Sequence, residues 1–302
     1  MNKNKYFAAI DMGSNAVRFV IKSVEVDPSD NSESLTQDLL VRFPLRLGED
    51  AFMRKKISKG REKQLLNLMK SFQHMLKIFP IVDFKAYATS AMRDSSNGKK
   101  ITEKVLKKTG INIEIIGGEE EARIIYDTHI ERMLGQEANF MYMDVGGGST
   151  QISVIHAGEP IYSHSFNIGT VRMMKDKVDP KEKQEFLSKL REFRVQYPDL
   201  QLVGSGGNIN KIYSLLHTKK DRSMLNVGKM KHLYKELSPL CVETRMKKYR
   251  IKRDRAEVIG FAAGLFIDAA DAMQMNTIVV PSISIADGII NKMYQKYADR
   301  NR

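Results

Sequence analysis

Two short stretches of this sequence carry the residue types needed to hold a phosphate. The first is Ile10-Asp11-Met12-Gly13-Ser14-Asn15, followed by an apolar run over 17–21. The second is Met143-Asp144-Val145-Gly146-Gly147-Gly148-Ser149-Thr150, followed by an apolar run over 152–155. In each, an apolar strand ends in an aspartate, turns through glycine and small hydroxyl or amide residues, and leaves as a second strand. Glycine lets successive backbone N–H groups converge on one oxygen. The aspartate suits a divalent cation, directly or through water. Taken singly, either turn is an ordinary Gly-rich hairpin. Two at the same strand-turn-strand position predict two half-structures facing each other across a phosphate-filled cleft. A third glycine turn, Gly204-Ser205-Gly206-Gly207-Asn208, follows the strand-like Leu202-Val203.

The elements that must position these turns alternate between strand and helix. The first half reads strand, strand, helix, strand, helix, strand, helix. Leu65, Met69, Phe72, Leu76 and Phe79 recur at helical spacing after Ser58. Strands are predicted over 84–89 and 111–116, and helices over 101–108 and 119–134. The pattern restarts near 135–139 with a strand, the second loop and another strand, and the sheet continues over 160–166. A helix over 181–193 and a strand over 201–203 follow. A small-residue helix over 256–272, a strand over 277–280 and a helix over 286–297 close the chain. This is an α/β pattern. It divides into an N-terminal domain, 1–130, and a C-terminal domain, 131–302.

Composition narrows the class of partner. The chain has 302 residues and no apolar run of membrane-spanning length. Met1–Tyr6 is polar, so no signal peptide is expected, and a cytoplasmic location is the default. The single cysteine, Cys241, excludes an intrachain disulfide and reads as a buried small residue. Net charge is +13, and residues 211–255 hold fourteen Lys or Arg against four acids, a local +10. That concentration favours a polyanionic partner. Zinc-finger spacing, an aromatic RNA-binding motif and tryptophan are all lacking, so a polyphosphate fits better than nucleic acid. The six histidines are scattered, and Ser163-His164-Ser165 has no partnered acid, so His164 reads as structural.

In this order the loops resemble the exopolyphosphatase and guanosine-pentaphosphate phosphohydrolase family, part of the actin-like ATPase and sugar-kinase superfamily. The likeness spans nearly the whole chain. Beside the loops at Asp11, Asp144 and Gly204, it includes Ala88-Thr89-Ser90-Ala91-Met92-Arg93-Asp94 and Glu119-Glu120-Glu121-Ala122-Arg123. The resemblance implies two ribonuclease H-like domains with mixed sheets flanked by helices and an active site in the cleft between them. It implies that Glu121 is the general base for an attacking water and that Arg93 grips the terminal phosphate. Ser14, Asn15, Gly146, Gly147, Gly148, Ser149, Thr150, Gly206 and Gly207 would bind phosphate oxygens. Asp11, Asp144 and residue 151 would approach Mg²⁺. Inorganic polyphosphate is the expected substrate, with guanosine pentaphosphate as the alternative, and a homodimer is expected.

Three departures qualify the likeness. The family's usual glutamate after Gly-Gly-Gly-Ser-Thr is Gln151 here, a weaker ligand for a hard cation. Ala16 replaces a frequent serine. The C-terminal helical domains of longer members fall outside residues 1–302, which would shorten a groove for long chains. A phosphotransferase or ATPase of the same superfamily is a rival reading that the Glu121 motif opposes. A weakly active polyphosphate or alarmone sensor is another, favoured by Gln151.

Overall fold

The computed structural model describes residues 5–30, 32–126, 139–217, 223–281 and 284–301. The chain divides into two compact units, residues 1–128 with 285–302, and residues 129–284. The expected boundary at 130 and the far end of the helix expected over 119–134 lie outside the described residues. The expected C-terminal domain, 131–302, is corrected at its end, because the last helix belongs to the first unit. That helix, Ile285–Asn301, buries Ile285, Ile289, Ile290 and Met293. It packs along the first strand, where Phe7 meets Tyr294 and Tyr297 edge-on at 6.1 and 5.7 Å.

The first unit is built on β1 (Tyr6–Met12), β2 (Val17–Val26), β3 (Glu33–Phe43), β4 (Ile81–Ala88) and β5 (Ile113–Ile115). Their order is β3-β2-β1-β4-β5. β2 runs antiparallel to β1 and β3, and β4 runs parallel to β1 and β5. β1 is central and buried from Phe7 to Met12, which explains its continuous apolar reading. β3 is absent from the sequence expectation. It is an edge strand with most residues exposed or half-exposed, so it carries no clean apolar alternation. The helix Lys59–Leu76 is capped by Ser58, whose Oγ accepts from the Arg61 amide at 3.4 Å. It buries Leu65, Leu68, Met69 and Phe72, and Phe72 stacks on Phe19 at 4.6 Å. Phe79, expected on this helix, lies beyond it and packs on Tyr6 at 5.2 Å.

The second unit is built on β6 (Phe140–Val145), β7 (Thr150–His156), β8 (Glu159–Phe166), β9 (Gln201–Ser205), β10 (Met224–Asn226) and β11 (Thr277–Val279). The order is β10-β11-β9-β6-β7-β8. Its strands β8-β7-β6-β9-β11 repeat the first unit's pattern, antiparallel on one side of β6 and parallel on the other. β10 adds an antiparallel edge. The sheet is covered by helices that include Pro180–Gln196 and Ile259–Ala272. Ala262, Ala263, Ala269 and Ala270 are buried on the latter, as its small residues suggest. The helix expected over 256–272 is two helices, Arg253–Ala256 and Ile259–Ala272. Cys241 is corrected from buried to exposed. It precedes the helix Val242–Tyr249, and contact with Thr244 lowers its thiol pKa. Among the described residues no helix is long and apolar enough to cross a membrane.

Candidate active site

In each unit the candidate residues leave the carboxyl ends of the parallel strands. In α/β sheets that edge gathers ligands, because loops from neighbouring strands emerge together there. In the first unit β1 runs into Gly13, β4 into Thr89, and β5 into Ile116 and Gly117.

Asp11 is 5 % exposed and stands opposite Arg18 in the β1–β2 register. Its Oδ2 accepts from Arg18 Nη1 at 3.3 Å. Burial pushes the Asp11 carboxyl above the ordinary carboxylate range, and the Arg18 guanidinium draws it partly back. The turn closes through the Gly13 amide, which donates to Ala16 O at 3.1 Å. The carbonyls of Ser14 and Asn15 accept from the amides of Gly48 and Arg46, at 2.8 and 3.0 Å. These donors open the helix Leu47–Arg54, which follows β3. Ser14 Oγ lies 2.9 Å from Ser90 Oγ, and the Thr89 amide donates to Met12 O at 3.2 Å. The first loop and the segment 89–93 are thereby fixed to one another.

Arg93 ends the short helix Ser90–Arg93. Its Nη1 donates to Ile116 O at 3.1 Å, and its Nε lies 3.6 Å from Asp94 Oδ1. The Ile116 amide donates to Ala88 O at 2.9 Å. Arg93 therefore rests on the turn that starts the helix Gly118–Tyr126, which carries Glu121 in its first turn. Glu119 and Glu120 are exposed, whereas Glu121 is 5 % exposed. A solvated helix start would leave all three in water, so burial singles out Glu121.

The second unit repeats the device. Asp144 is 6 % exposed and stands opposite Gln151 in the β6–β7 register. The Gly146 amide donates to Ser149 O at 2.9 Å. Gly146 O accepts from the Thr170 amide at 3.0 Å, and Gly147 O from the Val171 and Arg172 amides at 2.8 and 3.2 Å. Gly148 O accepts from Arg172 Nε at 2.7 Å. A trans peptide points its N–H opposite to its C=O. With three carbonyls turned to the helix Thr170–Met174, the amides of Gly147, Gly148 and Ser149 turn the other way, as an anion cradle requires. Gly169 permits this contact, since a Cβ there would lie 2.4 Å from Gly147 O. Thr150 is buried, and its Oγ1 donates to Ile168 O at 2.6 Å. Gln151 Nε2 donates to Ser149 Oγ at 2.9 Å and Ser165 Oγ at 3.3 Å.

The third glycine turn closes against Asp144. Ser205 is its neighbour on β9, and Gly206 precedes the helix Gly207–Leu216 at φ 103°. A Cβ on Gly206 would stand 2.7 Å from Asp144 Oδ1. Both backbone angle and space therefore demand glycine at 206.

Within the first unit the structure brings together Asp11, Ser14, Asn15, Arg93 and Glu121 as a set of neighbouring loops. Within the second it joins Asp144, Gly146, Gly147, Gly148, Ser149, Thr150, Gln151, Gly206 and Gly207. Sequence reasoning missed Gly48, Gly169, Thr170 and Arg172. Gly169-Thr170, a glycine before a helix, was the available signal. Among the described residues no three His, Cys, Asp or Glu side chains cluster around a possible cation. Asp144 is a buried carboxylate facing a neutral amide, which fits a hard cation that takes its other ligands from water and phosphate. The basic segment is partly neutralised where described. Lys231 pairs with Asp271, Lys248 with Glu236 and Arg253 with Glu243. Arg245 is spent on the carbonyls of Leu237 and Ala256. Lys219, Lys220 and Arg222 lie outside the described residues. His164 stands on β8 against Phe166, with ring centroids 4.5 Å apart.

Residues 37–297 match the model of the Ppx/GppA phosphatase family. Exopolyphosphatase 1 of Mycobacterium tuberculosis is 27 % identical over 168 residues, covering 55 % of this chain and 47 % of that protein. Guanosine-5'-triphosphate,3'-diphosphate pyrophosphatase of Aeromonas salmonicida is 20 % identical over 303 residues, covering 96 % of this chain and 60 % of that protein. The chain thus spans about half of these curated relatives. A crystal structure of an exopolyphosphatase from Cytophaga hutchinsonii superposes with a TM-score of 0.83 at 20 % identity, covering 96 % of this chain and 98 % of the other. That likeness establishes the shared fold.

Proposed function

Because the chain belongs to the Ppx/GppA phosphatase family, we propose that it hydrolyses the terminal phosphoanhydride bond of a condensed phosphate and releases orthophosphate. Inorganic polyphosphate is the first substrate, and guanosine pentaphosphate is the alternative. The observation that carries the reading is the burial of Glu121 beside exposed Glu119 and Glu120. A withdrawn carboxylate at a helix start suits proton abstraction from water, whereas a kinase has no need of a base for water.

In this reading Glu121 takes a proton as the water oxygen attacks the terminal phosphorus. The bond to the bridging oxygen breaks, and the chain leaves one phosphate shorter. Arg93 binds two oxygens of the terminal group. The amides of Gly147, Gly148 and Ser149 and the first loop with Ser14 and Asn15 hold phosphate oxygens as charge moves during transfer. Asp144, with Gln151 beside it, would hold Mg²⁺, which would neutralise phosphate charge. Asp11 has its charge matched by Arg18 and is the weaker metal candidate. The active form is a homodimer acting in the cytoplasm.

The test is orthophosphate release from polyphosphate and from guanosine pentaphosphate, with and without Mg²⁺, by the wild type and by Glu121→Gln. The variant keeps side-chain size and loses basicity. It is expected to lose roughly two to four orders of magnitude in turnover while still binding substrate. Undiminished turnover would remove Glu121 from the mechanism. The weak-sensor reading draws on Gln151 alone and predicts tight binding with negligible release from both substrates.

A further inference from the structure

A cavity of about 700 Å³ opens in the first unit, away from the loops already described. Five cations line it, Arg54, Lys56, Lys59, Lys100 and Lys104, against one acid, Glu62. Lys104 is paired with Glu62 at 2.6 Å. Arg54, Lys56, Lys59 and Lys100 are exposed, and among the described residues none of them has an ion-pair partner. The cavity therefore holds four unmatched positive charges. This contrasts with the basic segment of the second unit, where several charges are paired.

The charge pattern also opposes local stability. Lys59 opens the helix Lys59–Leu76, and Lys100 lies in the first turn of the helix Gly98–Thr109. A cation at a helix N-terminus meets the positive end of the dipole. The second helix has no acid in its first turn and no side-chain cap. The Asn97 side chain is committed to Ile57 instead, at 2.8 and 2.9 Å. Local rules broken together in this way mark a functional constraint.

One short helix separates the cavity wall from the first loop. The helix Leu47–Arg54 begins with the Gly48 amide on Ser14 O and ends with Arg54 in the cavity wall. Six residues of helix span roughly 9 Å. The segment from Ser90, on Ser14, to Ser96 and Asn97 runs between the same two places. The lining contains no aromatic side chain on which a base could stack.

We propose that this cavity binds condensed phosphate, holding phosphates remote from a chain end placed at the first loop. Resting on the hydrolase reading, this makes inorganic polyphosphate rather than a guanine nucleotide the substrate class. The tests use the full chain and three ligands: long-chain polyphosphate, tripolyphosphate and guanosine tetraphosphate. Lys56→Gln with Lys100→Gln is expected to raise the Kd for long-chain polyphosphate about tenfold and to change the other two by less than about twofold. Lys70→Gln with Lys108→Gln removes the same charge from exposed positions on the helices Lys59–Leu76 and Gly98–Thr109, outside the cavity. It is expected to leave all three unchanged. Lys100→Glu should raise Tm while weakening long-chain binding. Equal weakening of all three ligands, an equally effective control pair, or unchanged long-chain affinity would each overturn the proposal. Binding is read without turnover, so absent phosphate release would refute the hydrolase reading and leave the cavity result standing.

Discussion

The hairpins of β1–β2 and β6–β7 share a construction. In both, a buried aspartate is the next-to-last residue of the first strand, and a glycine amide two residues later donates to the carbonyl three residues on. In both, the chain returns after the third strand to a helix whose first amides hold the loop's carbonyls. They differ in the residue opposite the aspartate, which is Arg18 in the first unit and Gln151 in the second. The first unit balances its own carboxylate with a guanidinium. The second sets its carboxylate against a neutral amide and adds Arg172 on the loop. A duplicated scaffold has thus been specialised by one cross-strand position and by the neighbours that each loop collects, Ser90 in the first unit and Gly206 in the second.

The comparison breaks first at the aspartates. Asp144→Asn is expected to cost roughly a hundredfold or more in kcat, with higher Mg²⁺ needed. Asp11→Asn should cost far less, because Arg18 already offsets that charge. Equal losses, measured as phosphate release across a Mg²⁺ series, would erase the distinction. Next come the glycines that let each helix meet its loop. Gly169→Ala places a methyl 2.4 Å from the backbone of Gly147 and Gly148. It should destabilise the protein by about 1–3 kcal/mol in denaturant titration. Gly48→Ala meets the Phe52 ring at 2.7 Å, Ser14 Cβ at 2.9 Å and Ser14 O at 3.2 Å; the ring can shift and the Ser14 contacts are longer than the backbone contacts at Gly169, so its cost should be smaller.

These positions show what a sequence gives up easily. Asp11, Asp144 and the glycine turns were legible because strand-end acid, glycine and small polar residue form a local pattern that appears twice. Glu121 was legible as a motif, but its burial beside two exposed glutamates was not. The edge strand β3 escaped notice because residues such as Glu33, Gln37 and Asp38 give it no apolar face. The clamp of Gly169, Thr170 and Arg172 on Gly146–Gly148 joins segments some twenty residues apart, which no local period records. The return of Ile285–Asn301 to β1 is longer-ranged still, since its apolar stripe shows that the helix is buried but not on which sheet.

Smaller effects sharpen the same contrast. Gln151→Glu should lower the Mg²⁺ concentration at half-maximal rate by about severalfold, since a carboxylate is the better hard-cation ligand. Ser149 and Ser165 can reverse their hydrogen bonds to donate to it. A flat or rightward-shifted titration at saturating polyphosphate would show Gln151 to be preferred as a neutral neighbour. The smallest effect concerns stability and pH. The folded pKa of Asp11 is raised, chiefly by burial. Its ionisation therefore penalises the fold increasingly as pH rises from the ordinary value of 3.8 through the folded value. Asp11→Asn should melt higher than the wild type near neutral pH, with the gap closing below that window. A gap independent of pH would place the effect elsewhere.

The central claim of the proposed function is that water activated by Glu121 attacks the terminal phosphorus of a condensed phosphate. Its most direct test is hydrolysis of polyphosphate in water labelled with heavy oxygen, followed by mass analysis of the orthophosphate formed. The account predicts one labelled oxygen in each released orthophosphate. Unlabelled orthophosphate, or phosphate recovered only on an added acceptor such as a nucleoside diphosphate, would contradict it.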